Sequence, residues 1–368
     1  MLPSSRSLES NRQTSDKSEF KNDMSDSAEF TTERRKEDHI RINLEENVQS
    51  RLTTGLEKFY FMHQALPEIN LADVDTRTTL LGKTLKTPIL ISSMTGGTAR
   101  AEGINRQLAA AAQETGMAIG VGSQRAAVED ATLAESYWVR DIAPDVPLYA
   151  NVGAVQMNYG FGLLHFQRAV EMIEADALIL HFNALQEATQ PEGDGNFSNL
   201  LPQVEQLCKE IGVPVIAKEV GWGFSAADAR RLADAGVSAI DVAGAGGTSW
   251  SEVEMYRAPT AHLRRVAGAF TDWGIPTADS IRYCHEAVPN MPLIASGGLK
   301  TGIDVAKCIV LGAQVGGLAG EFLKAADQGG VEGAVALANA ITHELRITMF
   351  CTGSATLAQL SQVVLHTR

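Results

Sequence analysis

From Thr87 to Gly320 the chain repeats one beat: a short run rich in Val, Ile, Leu and Ala, then a longer amphipathic stretch, often closed by a glycine. The apolar runs are Pro88–Met94, Ala118–Gly122, Pro147–Val152, Ala177–Asn183, Pro214–Val220, Ala239–Ala243, Pro292–Gly297 and Val315–Ala319, each of strand length. Between them Ala101–Thr115, Phe161–Ala175, Leu200–Ile211, Ala226–Ala235 and Ile303–Leu311 have helical patterns, and Gly116, Gly212, Gly236 and Gly312 suit helix C-caps. Strands buried on both faces belong to a parallel sheet covered by its crossover helices. Eight such units predict an α/β fold, a closed (β/α)8 or TIM barrel with an N-terminal extension; an open doubly wound sheet is the alternative. Ser249–Pro289, after strand six, is too long for one simple crossover and predicts a βα-loop insertion over the barrel mouth.

The 368 residues, 45% hydrophobic and 20% charged, suffice for one large core. Residues 1–33 hold no apolar run and are rich in Ser, Asp, Glu, Lys, Arg and Asn, so they are expected to be a disordered tail ahead of a single domain over 34–368. They fit neither a signal peptide nor a transit peptide, and Met24 is a second candidate start. Cys208, Cys284, Cys308 and Cys351 form no C-x-x-C pair, which fits reduced thiols and a cytoplasmic protein. A net charge of −13 argues against general nucleic-acid or anionic-membrane binding, and no run of about 18 apolar residues is present to span a bilayer. An anionic ligand must therefore meet a local basic cluster or a metal ion.

Polar residues gather where the strands end. L-I-L-H-F-N-A-L-Q-E carries His181 and Asn183 on one side of a buried strand, with Gln186 and Glu187 in the turn beyond. Strand one runs into Ser92–Gly97, strand two into Gly122–Arg125, strand three holds Asn151, strand five Lys218, and strand six ends in Ala243–Thr248. Singly each has a structural explanation: Thr95 and Thr248 as helix caps, Asn151 as a satisfied core amide, Lys218 as half of an ion pair. Together they mark the end of the barrel where ligands bind. Gly297 and Gly298 after strand seven and Gly320 after strand eight sit where barrels commonly cradle a phosphate. Glu33–Arg41 forms a second basic cluster, whose alternative reading is a solvated charge run.

As a set, R-K-E-D-H (Arg35–His39), S-M-T-G-G (Ser93–Gly97), G-S-Q-R (Gly122–Arg125), H-F-N-A-L-Q-E (His181–Glu187), K-E-V-G (Lys218–Gly221), G-G-T-S-W (Gly246–Trp250) and S-G-G-L (Ser296–Leu299) closely resemble the type 2 isopentenyl-diphosphate isomerases. The resemblance covers essentially all the chain after about Thr32. It implies an FMN- and Mg2+-dependent enzyme that interconverts isopentenyl and dimethylallyl diphosphate, with NADPH or another donor reducing the flavin. It places FMN against Ser93, Met94, Thr95, Ser123, Asn151, Lys218 and Thr248, and the FMN phosphate at Gly297, Gly298, Leu299, Ala319 and Gly320. Where many members have serine this chain has Ala243, so any FMN contact there is through backbone. The substrate diphosphate falls to Arg35, Lys36, His39, Ser123, Gln124 and Arg125, with His181, Asn183 and Gln186 nearby. By the same resemblance Glu187 would bind the magnesium ion, and Gln186, Trp250 and Glu254 are the catalytic candidates. A homo-oligomer, commonly a tetramer or octamer, is also implied.

Moving a double bond one position adds a proton at the terminal methylene and removes another across the alkene, with no net redox change. An alkene is a poor base, so the donor must be pre-oriented in a dry site beside something electron-rich, and reduced flavin has both properties. Gln186 is neutral and is expected to position or relay protons with Glu254. A hydroxy-acid oxidase on a related barrel would need a catalytic His followed by Arg near the end of strand seven, where this chain has Ser296–Lys300. A nucleotide dehydrogenase would need a Cys in a matched loop. A binding-only flavoprotein would need neither Glu187 nor Gln186.

Overall fold

The computed structural model describes residues 23–94 and 96–368, and side chains from residue 34 onward. Eight parallel strands close into a barrel: β1 (Ile89–Ile91), β2 (Ala118–Gly120), β3 (Leu148–Gly153), β4 (Ala177–Phe182), β5 (Val215–Glu219), β6 (Ala239–Asp241), β7 (Leu293–Ser296) and β8 (Val315–Leu318). Neighbours in sequence are neighbours in space, and β8 pairs with β1 while β6 pairs with β7 to complete the ring. The predicted TIM barrel is therefore the observed fold, with most strand ends trimmed by one to three residues and β3 running one residue further, to Gly153.

Period-2 alternation sorts the core into two parts. Inside the barrel lie Leu90, Ala118, Tyr149, Ile179, Ile216, Ala239, Ile294 and Val315, all nearly or fully buried. Their strand neighbours, such as Ile89, Ile91, Leu178 and Leu180, face outward into the shell of helices. Leu80 and Leu85, from the hairpin Thr78–Leu80 and Lys83–Leu85, join the inner cluster at the strand-start end and plug it. Two residues further along every strand the same inward parity falls on Ser92, Gly120, Asn151, His181, Lys218, Asp241, Ser296 and Gly317. Apolar below and polar or bare above, this second layer is the floor of a cavity.

The helix Asp23–Glu45 lies at that mouth, where Ile42 packs with Val48, Val253 and Trp250. Of the tail expected over residues 1–33, residues 1–22 lie outside the described residues, and Asp23–Glu33 form the first part of this helix. The expected insertion consists of two helices, Trp250–Arg257 and Ala261–Gly268, before the crossover helix Thr277–Ala287. Among the described residues no helix is long and apolar enough to cross a membrane.

Candidate active site

The cavity above the barrel floor is lined by groups from the strand ends, the N-terminal helix and the insertion. Three adjacent strands build one part of the floor. Lys218 of β5 is in register with Asp241 of β6, and Nζ lies 2.9 Å from Oδ2, an ion-pair contact outside hydrogen-bond geometry. Ser296 of β7 closes the triad, accepting from Nζ at 3.2 Å and donating to Asp241 Oδ1 at 2.5 Å. Asp241 is fully buried, whereas Lys218 reaches the cavity. The ion pair foreseen as the structural reading of Lys218 thus exists, and the lysine lines the site as well. Beside it, Glu219 Oε2 accepts from the backbone N–H groups of Val220, Gly221 and Trp222 at 2.7, 2.7 and 2.6 Å, which turns the chain at the end of β5. Burial pushes the Glu219 carboxyl up to about 7.

Asn151 of β3 donates through Nδ2 to Val121 O at 3.2 Å, which leaves its Oδ1 to accept from His181 Nδ1 at 2.8 Å. Burial, with the neighbouring Lys218 charge, pushes His181 down to about 4, so the ring is neutral at physiological pH. With its proton on Nδ1, Nε2 is left as an acceptor, suited to a donor or a water on a metal rather than to a bare phosphate oxygen.

On the short helix Ala184–Thr189, Gln186 and Glu187 follow Asn183 at the end of β4. Glu187 Oε1 accepts from Asn183 Nδ2 at 2.8 Å, and Oε2 from Gln190 Nε2 and Asp194 N, each at 2.7 Å. One lone pair of Oε1 stays open, a fit for magnesium, which is usually held by one or two carboxylates plus substrate phosphates and water. Among the described residues no cluster of three or more His, Cys, Asp or Glu side chains offers a complete protein cage. The Asp194 carboxylate in turn accepts from Arg125 Nη1 at 2.5 Å, while Arg125 Nε donates to Glu129 at 3.0 Å.

The N-terminal helix supplies the cationic rim. Lys36 Nζ donates to Tyr137 Oη at 2.9 Å, and Tyr137 donates to Ser123 O at 2.7 Å. Burial, then the Arg35 charge, pulls Lys36 down to about 8. One turn on, His39 meets Glu254 Oε1 at 3.1 Å and stands edge-on to Trp250 at 5.1 Å. Gln186 Nε2 donates to the same Oε1 at 3.3 Å, and Arg257 Nη1 donates to Oε2 at 2.5 Å. Burial alone would raise the fully buried Glu254 carboxyl; the hydrogen bond and charge of His39, the Arg257 charge and a hydrogen bond from Gln186 outweigh it and hold the group below its ordinary value.

Opposite these, the glycines form a cradle. A Cβ on Gly247 would come within 2.6 Å of Gly298 N, and one on Gly297, at φ +107°, would sit against Gly244 O. Gly298 (φ +81°) is equally restricted, so only glycines allow these loops to touch. Gly320, with open space where a Cβ would be, starts the helical segment Gly320–Cys351, which is kinked at Gly330. Its first N–H groups and the bare Gly298 backbone fit a phosphate, and the buried hydroxyls of Ser92 and Ser93 have no hydrogen-bond partner among the described residues.

Of the residues singled out in the sequence, the cavity lining brings together Arg35, Lys36, His39, Ser93, Met94, Ser123, Arg125, Asn151, His181, Asn183, Gln186, Glu187, Lys218, Ala243, Thr248, Trp250, Gly297, Gly298, Leu299, Ala319 and Gly320. Thr95 lies outside the described residues. Glu254 stands behind Gln186 and His39 instead of at the surface of the cavity. Gln124 turns away: fully buried, it donates to Ala169 O at 2.8 Å and accepts from Asn151 N at 2.9 Å, so its amide braces β3 and does not reach a diphosphate. Tyr137, Asp194, Asp241 and Arg257 were not foreseen. Only Asp241 left a signal, an acid at inward parity in the strand beside Lys218.

The FMN-dependent dehydrogenase family matches residues 37–144 and 175–367. Isopentenyl-diphosphate delta-isomerase of Rickettsia africae is 52% identical over 330 residues, 89% of this chain and 96% of that protein. The Rickettsia felis protein of the same name is 53% identical, covering 89% and 95%. A mandelate oxidase variant bearing a monooxide FMN adduct shares the fold, with a TM-score of 0.64 at 18% identity over 90% of this chain and 92% of that one. A putative lactate oxidase from Pediococcus acidilactici gives 0.62 at 18%, over 90% and 86%. On a barrel common to FMN-dependent dehydrogenases, and with half its residues identical to those relatives across nearly their full length, this chain belongs to the type 2 isopentenyl-diphosphate delta-isomerase family.

Proposed function

We infer that the protein interconverts isopentenyl and dimethylallyl diphosphate by a 1,3-allylic proton shift, with reduced FMN and Mg2+ as cofactors. The observation that carries this reading is the pairing of Gln186 with the buried, anionic Glu254 behind it, across the cavity from a glycine cradle and below a cationic rim. Neutral amide and carboxylate suit proton movement at carbon, and no His–Arg pair for hydride abstraction follows β7, where the chain has Ser296–Lys300.

Gly297, Gly298, Leu299, Ala319 and Gly320 would hold the FMN phosphate, and Ser93, Met94, Ser123, Asn151, Lys218, Ala243 and Thr248 the remainder of the cofactor. When bound and reduced, FMN supplies an electron-rich face and an exchangeable ring proton. Arg35, Lys36 and Arg125 would neutralise the diphosphate, Glu187 would hold the Mg2+ that adds to that charge, and His39 and Asn183 would border it. This binding far from the reacting carbons fixes the alkene in place. Trp250, edge-on to His39, excludes water. Gln186 orients the allylic group, and Glu254, held as a carboxylate, accepts a proton through that amide. The electrons of the lost C–H bond form the new double bond as those of the old one take up the incoming proton. NADPH as reductant, a cytoplasmic location and a homo-oligomer, tetramer or octamer, complete the proposal.

The test is an anaerobic assay of isopentenyl diphosphate with FMN, Mg2+ and NADPH, which should yield dimethylallyl diphosphate only once the flavin is bleached. Full-rate conversion with the flavin oxidised or removed would overturn the reduced-flavin mechanism, and bleaching without turnover would favour a binding-only flavoprotein.

Lys36 adds a pH signature. Because its folded pKa is depressed to about 8, the ammonium that meets the diphosphate is present below that pH and is lost above it. The kcat/KM profile should therefore fall as pH rises through about 8, and Lys36→Arg should extend the plateau. An identical fall in the arginine variant would assign that limb to another group.

A further inference from the structure

Behind Gln186, the insertion helix Trp250–Arg257 carries a carboxylate and a guanidinium one turn apart. Glu254 is fully buried, and Arg257 has a side chain only 11% exposed. Arg257 bridges two acids, donating through Nη1 to Glu254 at 2.5 Å and through Nη2 to Glu192 at 2.6 Å. Glu192 lies in the loop that follows the helix of Gln186 and Glu187, so the guanidinium ties the insertion to that loop. A single exposed pair of this kind contributes little, but a nearly buried guanidinium with two carboxylates on separate elements is fixed in position.

We propose that Arg257, anchored by Glu192, is the positioning residue that holds the Glu254 carboxylate against Gln186 in its anionic form. The inference rests on the isomerase reading and extends it: Arg257 does not line the cavity and acts through Glu254. The other groups facing Glu254 are few. The N-terminal helix presents His39, with Arg35 beyond it; the helix of β4's end presents the neutral Gln186; Ala261–Gly268 makes no ion pair to Glu254 among the described residues. Burial pulls His39 below its ordinary value, so its charge, unlike that of Arg257, depends on pH. Arg257 is then the one permanent cation in contact with Glu254 among the described residues.

The sign follows directly. With the guanidinium gone, burial is opposed only by His39 and Gln186 among the groups in contact, so the Glu254 carboxyl rises and its protonated form persists to higher pH. In Arg257→Met the acid limb of the kcat profile should move up by about one pH unit or more. At pH 7 kcat should fall about tenfold while KM changes little, because the diphosphate contacts are elsewhere. Arg257→Lys, which keeps the charge, should restore most of the limb. Should the methionine variant not fold, Arg257→Gln, neutral but able to hydrogen-bond both acids, carries the same expectation.

Infrared difference titration of the carboxyl band, with Glu254→Gln as the blank, reads the same quantity without turnover. It separates failure of this proposal from failure of the isomerase reading. A band midpoint that rises in the neutral variants supports it whatever the substrate. A midpoint and acid limb unchanged from the parent protein would overturn it.

Discussion

Glu187→Gln should lower kcat/KM by about a hundredfold and raise the Mg2+ concentration needed for half-maximal rate, while the purified protein stays yellow. The carboxylate accepts from three N–H donors, those of Asn183, Gln190 and Asp194, which no amide can do: its NH2 must confront at least one of them. The substitution thus removes the one carboxylate of this helix, the proposed magnesium ligand, and loosens the loop that carries Asp194, and with it the carboxylate that steadies Arg125. The glycine cradle after β7 and β8 is untouched, so the flavin should remain. Mg2+ titration of the rate, with the flavin spectrum of the same sample, checks both halves. Loss of flavin with an unchanged metal requirement would move Glu187 from the diphosphate site to the flavin site.

Asp241→Ala should destabilise the fold by about 3–5 kcal/mol, because it leaves the Lys218 ammonium in the barrel without its counter-charge. The aspartate is fully buried, and both its oxygens face the other members of the triad, Nζ at 2.9 Å and Ser296 Oγ at 2.5 Å. Removing both charges is a different matter. Lys218→Met combined with Asp241→Leu should recover most of the loss, since a buried pair replaced by apolar groups of similar volume is often neutral. Urea-unfolding free energies of the two variants and the parent chain decide it. A single variant within about 1 kcal/mol of the parent would mean that water or a shifted side chain already compensates the lysine.

All eight strands were legible because each announces itself twice, by an apolar run and by a bounded length between helical patterns. Parity made the cavity floor legible as well: once Ile179 is inward, His181 and Asn183 follow, and Ile216 fixes Lys218 in the same way. What escaped depends on distances that no single segment contains. Tyr137 reaches Lys36 across 101 residues, and Asp194 reaches Arg125 across 69. Gln124 shows the opposite error, in which a motif was taken whole; Ser123 and Arg125 line the cavity while the residue between them points at Ala169. The charge run at Glu33–Arg41 looked equally suited to solvent and to a ligand, and it is the packing of Ile42 on Val253, with the contacts of His39 to Glu254 and of Lys36 to Tyr137, that sets this helix over the mouth.

Arg35, Lys36 and His39 ride on a helix outside the cylinder, whereas the glycine loops and the Lys218 triad belong to the strands themselves. On the proposed reading, part of the grip on the polar head of the substrate therefore lies outside the strands of the scaffold, while Arg125 and Glu187 contribute theirs from the turns after β2 and β4. Lineages of this architecture can retune how tightly they grip an anionic ligand by editing a peripheral segment, leaving the closed ring of hydrogen bonds unaltered.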